Sequence, residues 1–286
     1  MGPLDLVRLT PLMSRSKGRR DVKVALIDGP IALGHPDLNR SRIQELPTNV
    51  HGSCSRLESM ACMHGTFVAG MLVARRGTAA PAICPDCTLI LRPIFPEHSS
   101  HNHSMPSATP AQLASAIHDS VRAGARVINL SAAITDSSAI GERHLQDALD
   151  YAAHRSVLVV AAAGNRGTVG GSVITGHPWV IPVVACDMQG RPTAESNLGS
   201  SIGRRGLAAP GENIVSLSGD GKTQSTSGTS AAAPFVTGTI ALLQSEFTAA
   251  GAAQIMLALT HKDQHRRSIA PPLLDAWAAY EALSRN

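Results

Sequence analysis

The chain has 286 residues, of which 43% are hydrophobic, 3% aromatic and 16% charged, and its formal net charge at pH 7 is +4. This length suits one α/β domain that buries roughly three quarters of its unfolded surface around Ala, Val, Ile and Leu. The low aromatic content and the scattered arginine pairs argue against a platform for nucleic acid, so we expect no nucleic-acid partner.

No apolar run is long enough to span a membrane, and Met1–Thr10 lacks the apolar core of a secretory signal peptide. We therefore expect no membrane partner and a cytoplasmic location. The protein would be secreted if an upstream segment had been removed. A monomer is favoured.

The cysteines do not indicate a full disulfide framework. They are Cys54, Cys62, Cys84, Cys87 and Cys186, an odd number without a signal peptide. The first four have the composition of a four-thiolate zinc site, since Cys84 and Cys87 form a CxxC pair. The spacing of the first two is not that of a zinc ribbon, so local disulfides or reduced thiols are favoured, and we expect no metal and no other cofactor.

The N-terminal part of the chain predicts an arm followed by a buried strand. Residues 1–20 are polar and basic and predict a surface helix or arm, outside a single domain over 21–286. The β-branched run over 22–27 leads into Asp28-Gly29-Pro30, which predicts a parallel strand and a sharp turn. Asp28 would lie at the carboxyl end of that strand, where α/β sheets bind ligands, although a turn aspartate also bonds its own backbone.

A histidine begins the first predicted helix. Residues 39–63 predict irregular structure, and a helix starts at His64. A histidine at such a position is more often a surface residue than a catalyst. The glycine directly after it, Gly65, indicates instead that something packs or binds closely there.

The rest of the chain alternates between strand and helix patterns. Strands are predicted over 88–94, 127–131, 157–163, 180–186 and 213–217, and helices over 111–123, 142–154 and 275–284. This alternation predicts a three-layer α/β fold, with a doubly wound, mainly parallel sheet and helices on both faces.

Two further polar residues follow from this order. Asn165 lies in the segment Gly164–Gly167, just after the predicted strand over 157–163, where it can make an Asx turn or direct its amide into the crevice. Ser230 lies where a loop runs into a helix that begins close to it, because Pro234 is tolerated only near a helix start. Its hydroxyl would lie at the positive end of the helix dipole, although a serine there is more often only a cap.

The chemistry of these four side chains is complementary. An imidazole at His64 can remove the proton of Ser230, and Asp28 would orient the imidazole and stabilise its charged form. Asn165 and the backbone N–H of Ser230 would hold an oxyanion, where one donor is typically worth about 3 kcal/mol.

The four motifs are VALIDGP with HPDL around Asp28, HGTFVAG at His64, AAAGN ending at Asn165 and GTSAAAP at Ser230. In this order they resemble the subtilisin-like serine proteases, or subtilases, over about residues 21–245. The resemblance implies a serine endopeptidase that acts on a peptide or protein substrate. It assigns the catalytic triad to Asp28, His64 and Ser230 and the oxyanion hole to Asn165.

The turn after the catalytic aspartate departs from the family pattern. Gly29-Pro30 stands where Thr or Ser followed by Gly is usual, and this DGP variant resembles the proteases that process cyanobactin-type ribosomal peptides. The resemblance therefore implies a role in maturing a ribosomal precursor peptide.

The resemblance also implies substrate-binding residues around a shallow apolar pocket. The strand that pairs with the substrate backbone would consist of Ser131, Ala132 and Ala133. The opposite wall of the pocket would be formed by Ala162, Ala163 and Gly164, and its base by residues 170–174. The histidine-containing loop over 97–103 would contact substrate.

Two alternatives remain open at this stage. A transpeptidase or macrocyclase would use the same triad, with an amine in place of water, and would need an element that shields the acyl group from water. A non-catalytic peptide-binding module on the same fold is the other alternative, since fold does not determine function.

Overall fold

The computed structural model describes residues 2–48, 50–97, 108–131, 139–260 and 268–285. The strands are β1 (Lys23–Asp28), β2 (Ile43–Glu45), β3 (Thr88–Pro93), β4 (Val127–Leu130), β5 (Leu158–Ala162), β6 (Val180–Cys186), β7 (Leu207–Pro210), β8 (Ile214–Leu217) and β9 (Thr223–Thr226). The helices are α1 (Pro3–Leu6), α2 (Thr10–Arg15), α3 (Met60–Val73), α4 (Pro110–Arg122), α5 (Ala139–His154), α6 (Val173–Gly176), α7 (Ser200–Arg205), α8 (Thr229–Glu246), α9 (Ala252–Thr260) and α10 (Ala276–Ser284).

Seven strands form one parallel sheet in the order β2-β3-β1-β4-β5-β6-β7. The chain adds strands on one side of β1 and then crosses to its other side at β4, so the strand order reverses between these two strands. Ligands bind α/β sheets at the carboxyl ends of the strands beside such a reversal. Asp28 ends β1 at this point.

The strands are apolar on both faces because helices cover both. Val24, Leu26 and Val127 pack in the same core cluster as residues of α3 and α8. The intervening residues Ile27 and Ile128 pack on the opposite face against α4 and α5, as the two-residue period of a strand requires. The predicted three-layer, mainly parallel α/β architecture is confirmed.

The predicted helices and strands are all present, with ends shifted by at most four residues. The strand over 213–217 was expected in the main sheet, but as β8 it forms a separate antiparallel hairpin with β9. Six elements, most of them short, have no clear signal in the sequence and were not predicted: β2, β7, β9, α6, α7 and α9.

One expectation about the first half of the chain was wrong. The helix that carries His64 begins a turn earlier, at Met60, because the Ser59 side chain accepts a hydrogen bond from the backbone N–H of Cys62 and caps it. The segment before β1, predicted as a surface helix or arm, contains α1 and α2, and it packs on the core through Val7, Leu9 and Leu12, which are completely buried. A domain boundary at residue 20 stays a prediction.

The cysteines form one local disulfide, Cys54–Cys62, which joins the loop before α3 to its first turn. Cys84, Cys87 and Cys186 are buried free thiols. A four-thiolate zinc site is not formed, because two of its four sulfurs are bonded to each other. Within the described ranges, no helix combines the length and apolarity that crossing a membrane requires.

Candidate active site

A continuous chain of hydrogen bonds joins three of the predicted residues. His64 Nδ1 lies 2.7 Å from Asp28 Oδ1, and His64 Nε2 lies 2.9 Å from Ser230 Oγ. Asp28 is fully buried, His64 is 7% exposed, and Ser230 is half-buried at the surface of the crevice. The arrangement can move a proton from the serine hydroxyl to the imidazole while a carboxylate holds the opposite ring nitrogen.

Close backbone packing sets the distance between the carboxylate and the imidazole. A Cβ atom at Gly29 would overlap the backbone of Ala61 in the first turn of α3. A Cβ atom at Gly65 would overlap the carbonyl oxygens of Gly29 and Pro30. The turn after β1 and the start of α3 therefore touch backbone to backbone, and this explains why a glycine follows Asp28.

The environment of His64 favours its protonated form. Burial lowers the pKa of His64, but the negative charge of Asp28 and the hydrogen bond that the imidazole donates to that carboxylate outweigh it, so the pKa is raised above its ordinary value. The backbone N–H of Gly29 also donates to Asp28 Oδ1, at 2.7 Å. The same oxygen therefore accepts from the imidazole and from the turn.

Helix α8 presents Ser230 at its second position. Gly228 precedes the helix with φ +123°, a conformation that favours glycine, and Thr229 is the first helical residue. Pro234 lies within the helix, so the Ser230 carbonyl lacks the helical bond that a residue with an N–H would supply. The prediction that the helix begins close to Ser230 is confirmed.

Asn165 is attached to the start of the same helix. Its side-chain carbonyl accepts from the backbone N–H and from the hydroxyl of Thr229, both at 2.9 Å. The Thr229 hydroxyl also accepts from the backbone N–H of Gly164, at 3.2 Å. With the Asn165 carbonyl held in this way, its NH2 group is the part that can meet an oxyanion.

Sequence reasoning missed the role of Thr229. This residue is fully buried and links the loop that carries Asn165 to the helix that carries Ser230. Its position directly before the serine was visible in the sequence, but a threonine at a helix start indicates only a cap. The partner on the loop, 64 residues away in sequence, becomes apparent only in the fold.

A cavity of about 110 Å³ opens beside the loop that carries Asn165. It is lined by Ala163, Thr168, Gly170, Gly171, Ser172, Thr175, Asn197 and Ile202. Asn197 shapes one wall, because its amide donates to the Ala163 carbonyl and its oxygen accepts from the backbone N–H groups of Arg166 and Thr168. The cavity is uncharged and carries hydroxyl and amide groups.

The structure brings only part of the predicted substrate-binding set to this cavity. Ala163 lines it, whereas Ala162 and Gly164 do not. Ser131 is buried just past the end of β4. Ala132 and Ala133, like residues 98–103 of the predicted histidine loop, lie outside the described residues.

One group of residues has the composition of a metal site without its chemistry. Cys54, Cys62 and Glu97 place a ligand atom each within 4.8 Å of one another. The two sulfurs are joined in a disulfide and have no thiolate to offer. Glu97 instead accepts hydrogen bonds from the backbone N–H groups of Ser55 and Arg56, which fixes the disulfide-bonded loop.

Comparisons with known proteins agree with this geometry. The profile of the Subtilase family matches residues 19–273. Subtilisin DY of Bacillus licheniformis is 28% identical over 257 residues, which cover 88% of this chain and 87% of that protein. A thermophilic serine proteinase of Bacillus sp. (strain AK1) is 30% identical over 235 residues, covering 81% of this chain but 54% of the relative.

Three solved structures extend the comparison. The protease domain of PatA, in a mutant form, superposes with a TM-score of 0.82 at 31% identity, covering 94% of this chain and 97% of that one. The prenylagaramide maturation protease PagA has a TM-score of 0.79 at 28% identity, covering 96% and 98%. The PatG macrocyclase in complex with a peptide has a TM-score of 0.80 at 19% identity, covering 96% and 95%, which shows a shared fold alone.

Proposed function

The chain belongs to the subtilase family of serine proteases, and we propose that it matures a precursor peptide by hydrolysing a peptide bond through an acyl-enzyme on Ser230. The observation behind the assignment of residues is the bonded series from Asp28 through His64 to Ser230, with both imidazole nitrogens within 3 Å of a partner oxygen. Fold alone would not support it, because many functions share one fold.

Each residue has a defined part in the proposed reaction. Ser230 Oγ attacks the scissile carbonyl while its proton passes to His64 Nε2, and Asp28 stabilises the imidazolium that forms. The oxyanion meets the NH2 group of Asn165 and the backbone N–H of Ser230 at the start of α8. His64 then gives the proton to the leaving amine, and the ester on Ser230 remains.

Water completes the reaction in the same site. His64 takes a proton from the attacking water, the bond between the acyl carbon and Ser230 Oγ breaks, and the proton returns to that oxygen. The cavity beside Ala163 would receive the side chain of the residue before the cut. Its volume of about 110 Å³ and uncharged lining favour a small or medium, uncharged side chain.

Two observations support a peptide-maturation substrate. The Asp28-Gly29-Pro30 turn resembles that of proteases for cyanobactin-type peptides. PagA is the prenylagaramide maturation protease, and this chain covers 98% of it at 28% identity. A macrocyclase would need a shield over the acyl-enzyme, yet the segment from Val73 to Thr88 that follows the His64 helix is short.

The proposed nucleophile is tested with Ser230→Ala. This variant should lose peptide cleavage and labelling by a serine-directed fluorophosphonate, because no other hydroxyl bonds to His64 among the described residues. Ser14→Ala is the control, since Ser14 is exposed on α2 and bonds only to the Thr10 carbonyl of its own helix. Labelling that persists in Ser230→Ala would refute the assignment.

The substrate class is tested with a peptide library, followed by a precursor peptide that contains the preferred site. Mass spectrometry should show linear fragments whose masses include one added water. A product lighter than the released segment by one water would instead establish cyclisation. Preference for a large or charged residue before the cut would contradict the assignment of the cavity.

The disulfide bears on where the protein works. A bond between Cys54 and Cys62 is typical of an oxidising compartment, whereas cytosolic thiols are kept reduced. We therefore propose an oxidising compartment in place of the cytoplasmic location expected from the sequence. Alkylation of thiols in intact cells before lysis, followed by mass spectrometry, should find Cys54 and Cys62 unmodified; alkylated residues would restore the cytoplasmic expectation.

A further inference from the structure

An amide side chain lies in the middle of the apolar layer between the sheet and α8. Asn129 is fully buried on β4, with Leu26 and Val160 as its register partners on the neighbouring strands. Val127, two residues before it on the same strand, packs in the core cluster that includes α8. An amide at such a place is costly unless its polar atoms are bonded.

Both ends of this amide are bonded in a defined direction. The Thr237 hydroxyl donates to Asn129 Oδ1, and Asn129 Nδ2 donates to Ser131 Oγ, each at 2.8 Å. Thr237 is fully buried as well. The series therefore runs from α8, through the central strand, to the residue just past the carboxyl end of β4.

Each end of the series is connected to the proposed chemistry. Thr237 is seven residues after Ser230 on α8, so the two lie on the same helix face about two turns apart. Ser131 begins the segment expected to pair with the substrate backbone. A displacement of α8 would thus move Ser230 and, through the hydrogen bonds of Asn129, would also move Ser131.

Strand pairing does not hold Ser131. The ladders of β4 with β1 and with β5 both end at Leu130, one residue earlier. The hydrogen bond from Asn129 therefore fixes a side chain that the sheet leaves outside its regular pairing. An apolar residue of similar size could fill the space at Asn129 but could not orient Ser131.

We propose that Asn129 is a positioning residue, which with Thr237 fixes the Ser131 side chain relative to the nucleophile on α8. The inference rests on the proposed function, because it concerns substrates that extend along the segment beginning at Ser131. If this is right, variants that break the series should lose more kcat/KM as the substrate extends further before the cut. A residue that only stabilised the core would affect long and short substrates alike.

The test compares two substrates that have the same residue directly before the cut. One is a peptide that extends several residues before the cut, and the other is a single-residue ester without that extension. Thr237→Val keeps the shape of the side chain but leaves Asn129 Oδ1 buried without its donor. We expect kcat/KM to fall about tenfold on the peptide and at most about twofold on the ester, since small misplacements of substrate are costly.

Thr239→Val is the matched control. Thr239 is fully buried on the same helix, but its hydroxyl donates to the Phe235 carbonyl of that helix. Its variant should keep the ratio of the two kcat/KM values unchanged. Ser131→Ala breaks the series at its other end, where it removes the acceptor of Asn129 Nδ2 and leaves α8 unchanged, so it should reproduce the selective loss even if Thr237→Val folds poorly. The double variant Thr237→Val with Ser131→Ala should lose no more kcat/KM on the peptide than either of the two single variants.

The outcomes separate this inference from the proposed function. Equal losses on both substrates in Thr237→Val and Ser131→Ala, or an equal change of ratio in Thr239→Val, would overturn the positioning role while Ser230 labelling by a fluorophosphonate continued. A wild-type protein that takes no label and cleaves no peptide would overturn the proposed function, and with it the inference.

Discussion

The two sides of the catalytic crevice are built by different means. On one side, the carboxylate and the imidazole of Asp28 and His64 are buried on a strand end and a helix whose backbones touch at Gly29 and Gly65. On the other side, Asn165 is exposed on a loop, and its side chain is held by hydrogen bonds from the backbone N–H and the hydroxyl of Thr229.

This difference predicts different sensitivities. The packed side should tolerate no added volume, because an extra methyl group meets backbone atoms that cannot move aside. The bonded side has room but depends on a few donors and acceptors, so removing one of them should affect the rate more than the stability. The variants below test the comparison, beginning with the largest expected effect.

Asp28→Asn should reduce kcat about 10⁴-fold with little change in shape. An amide can donate to His64 Nδ1, which places the imidazole proton on Nε2 and removes the base that faces Ser230. Steady-state kinetics on a peptide give the rate, and circular dichroism tests whether the fold is retained. A loss below about tenfold would mean that the carboxylate does not control the imidazole.

Asn165→Ala should lower kcat by about 10² to 10³-fold and leave KM nearly unchanged, because it removes one oxyanion donor. The free energy of unfolding should fall by no more than about 1–3 kcal/mol, since Thr229 loses one acceptor. The control is Gln189→Ala, an exposed amide on a turn outside the crevice. A larger drop in stability in Asn165→Ala would contradict the comparison between the two sides. It would show that the hydrogen bonds to Thr229 stabilise the fold as well as orient the NH2 group of Asn165.

Gly29→Ala should lower the free energy of unfolding by about 1–3 kcal/mol, because its Cβ would overlap the Ala61 backbone. Gly34→Ala is the matched control in the same connection, where a Cβ would meet nothing within 4 Å. Denaturant unfolding measures both variants. Equal stability of the two would contradict the close contact between the turn and α3.

The pH dependence should show the smallest effect. Because the pKa of His64 is raised, the acid limb of kcat/KM should lie above the ordinary histidine value of about 6.5, with activity rising as the imidazole loses its proton. In residual activity of Asp28→Asn the limb should move to lower pH, since burial without the carboxylate charge lowers the pKa. An unmoved limb would assign it to another group.

The raised pKa of His64 also makes the stability of the fold depend on pH. Folding favours the protonated form of His64, so this contribution is complete below about pH 6.5 and is lost as the pH rises through the folded-state value. His64 and Asp28 therefore contribute most to stability at a lower pH than that at which the enzyme is most active. Unfolding of wild type and His64→Ala across this range should converge as the pH rises.

Much of the candidate site could be predicted from the sequence because its signals are local. A β-branched run before Asp28, a glycine after His64 and a helix that must start near Pro234 each depend on a few neighbouring residues. Parallel strands bring their carboxyl ends to one edge, so these local signals also placed the side chains in one crevice.

The parts that could not be predicted depend on distant partners. The burial of Leu9 and Leu12 needs the core cluster that they enter, and their polar surroundings in the sequence do not indicate it. The start of α3 at Met60 is set by a serine cap in a segment without helical periodicity. The amide in the cavity lining comes from Asn197, which is far from Ala163 in sequence.

By itself, then, the sequence determined the order of the elements and the identities of Asp28, His64, Asn165 and Ser230, because short-range patterns specify both. Only the tertiary structure decided how those residues are held: the touching glycines, the bond from Thr229 to Asn165, and the series through Asn129. Hydrogen bonds and close packing of this kind join residues many tens of positions apart, and no local pattern records which partners will meet.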